Sequence, residues 1–105
     1  MNKLLVSALS SFSADDRSRF SLFVKSRDAV SPRKYYPVVR LLISRLSSSG
    51  DLADTEAFGL FREAYGKSYS RQTLLNRQSE LLALVKKYFK QEAAEKNKYI
   101  LDNLY

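Results

Sequence analysis

Gly66-Lys67-Ser68 match the last three positions of the phosphate-binding P-loop pattern, and they raise the question of nucleotide chemistry. A P-loop needs two glycines flanking four residues, then Lys and Ser or Thr, after a buried strand, so that backbone N–H groups converge on a phosphate. Here Phe61 holds the first glycine position, and Gly59 stands two residues too early. The segment before Gly66 has helical, not strand, spacing. The pattern reads as a helix closed by a left-handed glycine, with Lys67 near the negative end of the helix dipole.

Other routes to catalysis are thin. The chain has no Cys and no His, which removes the thiol nucleophile, the commonest general base and the commonest metal ligand. Asp15 and Asp16 read as capping residues, Glu92 and Glu95 share a charged face with Lys96, and Glu56 and Glu63 lie two helical turns apart. Acid–base work needs carboxylates with displaced pKa values in a pocket. The many serines lack a partner base. No enzyme, no cofactor and no small-molecule substrate is expected.

Two constellations suit nucleic acid instead. A helix through Phe58, Phe61 and Tyr65, the turn 66–70 and a following helix give a helix-turn-helix outline with Lys67 in the turn. Arg71, Gln72, Asn76 and Arg77 then open the second helix, and Arg matches guanine while Gln or Asn matches adenine. Arg33-Lys34-Tyr35-Tyr36 interleaves cations and rings, as single-strand binders do. Each has a plainer explanation. Any two helices of a bundle give the first outline, and a loop with one packed tyrosine gives the second. Lys86, Lys87 and Lys90 read as a solvated face.

These residues need helices to hold them, and the punctuation predicts five. The first, near Asn2 to Ser10, puts Leu4, Leu5, Ala8 and Leu9 on one face. Ser13 caps the second, with Asp15 and Asp16 in its first turn, and Phe20, Phe23 and Val24 form its core stripe, ending near Ser26. Arg27 to Lys34 is a loop. Ser31-Pro32 is a start signal, and Pro37 suggests a separate turn from Pro32 to Tyr36 before the third helix. Val38, Val39, Leu42, Ile43 and Leu46 form the third helix's apolar face, stopped by Ser47-Ser48-Ser49-Gly50. Asp54 or Thr55 caps the fourth, and Gly66 ends it. The fifth starts at Ser70 and carries Leu74, Leu75, Gln78, Leu81, Leu82, Val85, Tyr88 and Phe89 at helical spacing. Run to Asn97 it would be about 40 Å long, and its end either projects or bends there into a last turn, Tyr99 to Leu104.

The fold expected is all-α, a compact bundle of four to five helices with a long C-terminal helix, one domain over residues 1–105. Its core would hold Phe20, Phe23, Leu42, Phe58, Phe61, Leu74, Leu81 and Val85. The formal charge is +7, and it is uneven: nine basic and three acidic side chains in residues 1–50, nine and eight in residues 51–105. A basic face attracts nucleic acid, anionic lipid or an acidic partner alike. No apolar run reaches the roughly 18 residues a membrane span needs. The start resembles a signal peptide faintly, but Ser7 interrupts its apolar patch and acids follow, so an amphipathic helix and a cytoplasmic protein are expected.

FSADDRSRFSLFVKS, Phe12 to Ser26, resembles the opening of a family of uncharacterised, largely helical bacterial proteins. There a Leu-Ser cap and charged residues precede Phe-x-x-Phe-hydrophobic and then Ser-Pro-Tyr-Phe. FREAYGKSYSRQTLLNRQSELLALVKKYF, Phe61 to Phe89, resembles a later stretch of the same family, in which an aromatic helix ends at Gly and a long helix follows. The matching positions are Phe20, Phe23, Gly66, Tyr69, Ser79, Leu81, Leu82 and Phe89. The chain departs at Ser26-Arg27-Asp28-Ala29, where the family's Pro-Tyr-Phe is absent. Family members are longer, so the resemblance implies an N-terminal module or a shortened relative, and it carries no activity and no functional residues.

The leading expectation is a non-enzymatic protein-interaction module, meeting a protein partner or a second copy through the end of helix five. Ile100, Leu101, Leu104 and Tyr105 motivate it, since an apolar terminus needs something to pack against. The rival is nucleic-acid binding through the helix-four/helix-five unit and the basic first half. A helix lying on an anionic membrane is not expected, because no segment joins a wide apolar face to a continuous cationic one.

Overall fold

The computed structural model describes residues 2–49 and 52–104, with the backbone alone at Ser49 and over residues 97–104. Among these residues five helices follow one another: α1 (Lys3–Ser10), α2 (Ala14–Asp28), α3 (Tyr36–Ser49), α4 (Asp54–Tyr65) and α5 (Arg71–Leu104). No strand occurs among them. The bundle is all-α. α3 sits at its centre, packed against α1, α2 and α4, while α5 lies across α1 and α2.

Asn2 caps α1, its Oδ1 accepting from the Leu5 N–H at 3.0 Å. Leu5 and Leu9, one turn apart, point into the core, but Leu4 is 67% exposed. At 100° per residue Leu4 is turned off the narrow line that faces α3 and α5, so it does not belong to the buried face expected of it. The Asn2 N–H donates to Oε1 of Gln78 at 2.6 Å. That bond explains how Gln78, at 2% exposure, is the one polar side chain in the core among the described residues.

Ser13 caps α2 with a full capping box: its Oγ accepts from the Asp16 N–H at 3.1 Å, and Asp16 Oδ2 accepts from the Ser13 N–H at 3.4 Å. Phe20 and Val24 are fully buried, whereas Phe23 packs at the core's edge. The helix runs to Asp28, two residues past the expected end, with Lys25 and Arg27 in a last turn that favours cations.

The start of α3 differs from the sequence expectation. Ser31-Pro32 launches no helix and Pro32 to Tyr36 forms no separate turn; the helix begins at Tyr36. The cause is Asp28. Its carboxylate accepts from the Tyr35 N–H at 2.9 Å and the Tyr36 N–H at 2.7 Å, satisfying donors that would otherwise be orphaned. Pro37 costs nothing there, because its missing N–H lies in the first turn. Val38, Val39, Leu42 and Leu46 are buried as their spacing requires. The expected stop at Gly50 lies outside the described residues.

Neither Asp54 nor Thr55 caps α4; Ala53 holds that position, and Asp54 and Glu56 stand in the first turn, where they favour the dipole. An ion pair from Arg45 to Glu56 ties α3 to α4. Gly66 ends the helix in the left-handed region at φ 70°, its N–H donating to the Arg62 carbonyl at 2.7 Å. Ser70 caps α5, its Oγ accepting from the Thr73 N–H at 3.2 Å. α5 then runs through Asn97 as unbroken helix, and its 34 residues correspond to about 51 Å of helix. Of the predicted core, Phe20, Leu42, Phe61, Leu74, Leu81 and Val85 are buried, and Phe58, like Phe23, is only partly covered.

Candidate functional site

The α4–α5 turn and the α2–α3 loop face one another across a shallow groove of about 370 Å³. Pro32, Arg33, Lys34 and Tyr35 line it from the loop, Tyr65, Lys67 and Tyr69 from the end of α4 and the turn, and Arg77 from α5. Local chemistry fixes each wall. With Gly66 reversing the chain, Tyr69 folds back onto α4, meeting Phe61 at 5.9 Å and Tyr65 at 6.1 Å in near-perpendicular ring contacts. The Tyr65 hydroxyl donates to the Lys34 carbonyl, which links α4 to the loop. Burial raises the pKa of Tyr65 well above the usual phenol value, so it stays a neutral donor.

The cations are held by light contacts. Lys34 donates to the carbonyls of Asp28 and Ser31, the latter at 2.8 Å, and so sits on the negative end of α2. Arg33 pairs with Glu80, and Arg77 approaches the same carboxylate at 3.9 Å. The Lys67 ammonium lies 5.5 Å from the centre of the Tyr69 ring.

The structure thus divides the seven residues that the sequence nominated. Arg33, Lys34, Lys67 and Arg77 gather at the groove, although 44 residues separate the outermost two. Arg71, Gln72 and Asn76 do not line it. Gln72 Nε2 donates to Asn76 Oδ1 at 3.0 Å on an exposed stretch of α5, so the groups suited to reading adenine engage each other. The helix-turn-helix outline has its own geometry here: α4 packs on α3 and α5 on α1 and α2. Residues the sequence left out are Tyr65, Tyr69 and Pro32. The signal for the tyrosines was present, since Tyr65 and Tyr69 bracket Gly66 and Lys67 four residues apart.

At the other end of the packed part of α5 the chemistry is structural. The Tyr88 hydroxyl donates to Asp16 Oδ1 at 3.0 Å, and this bond lowers the pKa of Asp16. Arg19 bridges to Glu92 at 2.9 Å. Among the described residues no three acidic side chains gather as a metal site would need, and no helix is long and apolar enough to cross a membrane. No protein-family model matches the chain, and neither a curated protein nor a solved structure is significantly similar to it. Its function is therefore read from its own geometry.

Proposed function

We propose that the protein is a non-enzymatic helical interaction module and that α5 meets its partner, a second copy of the chain. One observation carries this reading. Ala93, Ala94, Glu95 and Lys96 are exposed, and the helix continues to Leu104. A helical stretch without packing partners is marginal in water, because helical stability comes mainly from packing. The sequence of that stretch includes Ile100, Leu101 and Leu104, whose side chains lie outside the described residues, as does Tyr105. Nearer the body, Leu75 and Phe89 are 45% and 41% exposed, and Leu82, midway between them, is partly buried. Their seven-residue spacing is the one by which helices pair along a seam.

Sedimentation velocity at high micromolar concentration tests the reading. A dimer is expected, weakened by Phe89→Glu or Leu104→Glu. A monomer across that range would remove self-association through α5.

A further inference from the structure

We propose that the groove between the α2–α3 loop and the α4–α5 turn binds single-stranded nucleic acid, phosphates on its cations and a base against Tyr69. This surface is separate from the distal part of α5. It does not depend on whether the chain pairs with itself.

The first argument is charge. A second depression, of about 710 Å³, shares Pro32, Arg33 and Tyr35 with the groove and adds Arg27 and Lys87. The two adjoin along these loop residues and together make a track. Six cations line it, drawn from α2, the loop, the turn and α5, against two carboxylates, Asp28 and Glu80. Asp28 is occupied with the Tyr35 and Tyr36 N–H groups. The Arg33–Glu80 pair is exposed on both sides, and exposed pairs exchange readily for a stronger anion. A phosphodiester backbone supplies such anions at short, regular spacing.

The second argument is the ring. Tyr69 is partly buried and braced by Phe61 and Tyr65, so it is held in one orientation. Lys67, an exposed and flexible side chain, lies over its face. A base can take that position while the ammonium swings to the neighbouring phosphate. Cations flanking a fixed ring are how sequence-tolerant single-strand sites are built.

The third argument separates single strands from duplex. Major-groove reading needs a helix presented outward with base-reading side chains ready. Here the cations gather instead in a concave groove bounded by a loop and a turn, which Gln72 and Asn76 on the exposed start of α5 do not line.

Fluorescence anisotropy with the full chain tests this, using labelled single strands of dT or U and a duplex of equal length, about 12 nucleotides each, over a salt series. Single strands should bind more tightly than duplex. Lys34→Ala with Lys67→Ala, both exposed positions, should weaken binding roughly tenfold and lower the log–log salt slope by about 0.7 for each phosphate that is no longer neutralised. Tyr69→Leu should weaken it by roughly five- to a hundredfold with the slope unchanged. Lys90→Ala, exposed on α5 one turn beyond Lys87 and outside the lining, should weaken binding much less than the lysine pair does. No binding at about 25 mM salt would overturn the proposal. So would duplex binding as tightly as single strand, weakening by Lys90→Ala equal to that by the lysine pair, or equal competition by polyglutamate, which would make the groove a site for acidic protein.

Discussion

Around Tyr88, the rings of Phe12, Phe20 and Phe23 meet at 5.5 to 5.8 Å; around Tyr69, those of Phe61 and Tyr65 meet at 5.9 and 6.1 Å. The two clusters sit at opposite ends of the packed half of α5, and their residue types are alike. Their surroundings differ. Tyr88 is 2% exposed, its hydroxyl held by Asp16, and the nearby Arg19 is balanced by Glu92 and Asp15. Tyr69 is only partly covered, its face lies under an ammonium, and its cationic neighbours outnumber the carboxylates beside them. Aromatic content alone thus says nothing about use. The burial of Tyr88 and the charge balance beside it suit a stabilising role, and their lack around Tyr69 leaves the open surface proposed above to bind nucleic acid.

The contrast can be broken most forcefully at Phe20. Phe20→Ala should destabilise the fold by about 3 to 5 kcal/mol, through reduced burial and the cavity left behind, measured by urea unfolding. Gly66→Ala comes next. A Cβ at Gly66 meets nothing within 4 Å, so the cost is backbone strain at φ 70° alone, about 1 to 2 kcal/mol, and thermal melting should show it. An unchanged melting temperature would deny that the turn needs a left-handed residue.

Tyr88→Phe should cost about 1 kcal/mol by leaving Asp16 Oδ1 without its donor, and it also carries a pH signature. The folded-state pKa of Asp16 is depressed, chiefly by the Tyr88 hydrogen bond. The stabilisation is therefore present above the unfolded carboxylate value, about 3.9, and disappears as pH falls through the depressed folded value. Urea titrations at pH 6 and below pH 3 should converge for the wild type and Tyr88→Phe at the acid end. Ser13→Ala should cost roughly 0.5 to 1 kcal/mol through removal of the cap. Lys67→Ala should leave stability unchanged within about 0.5 kcal/mol, since its side chain is exposed; a larger effect would show that the Tyr69 cluster, too, is structural.

Much of the fold was legible where its causes are local. Ser13 precedes its acids, Phe20 and Val24 recur one turn apart, and Gly66 follows an aromatic helix, so each feature lies within a few residues of its cause. The sequence misleads where a distant group takes over a local role. Asp28 caps α3 from seven residues away, so the loop residues Ser31 and Pro32 lose the start signal they carry. Gln78 is buried because Asn2 reaches it from the opposite end of the chain. The groove was half legible: the residue types were in view, but their meeting depends on α3 packing against both α2 and α4. Arg71, Gln72 and Asn76 share those types without sharing the place.

Backbone amide NMR of the labelled protein during titration with a short oligo-dT tests the separation of the two clusters most directly. Shift changes should concentrate at Arg33, Lys34, Lys67, Tyr69 and Arg77, while Phe12, Asp16, Phe20 and Tyr88 stay in place. Changes centred on Phe12, Asp16 and Phe20, or spread evenly over every exposed lysine, would contradict the division of labour drawn here.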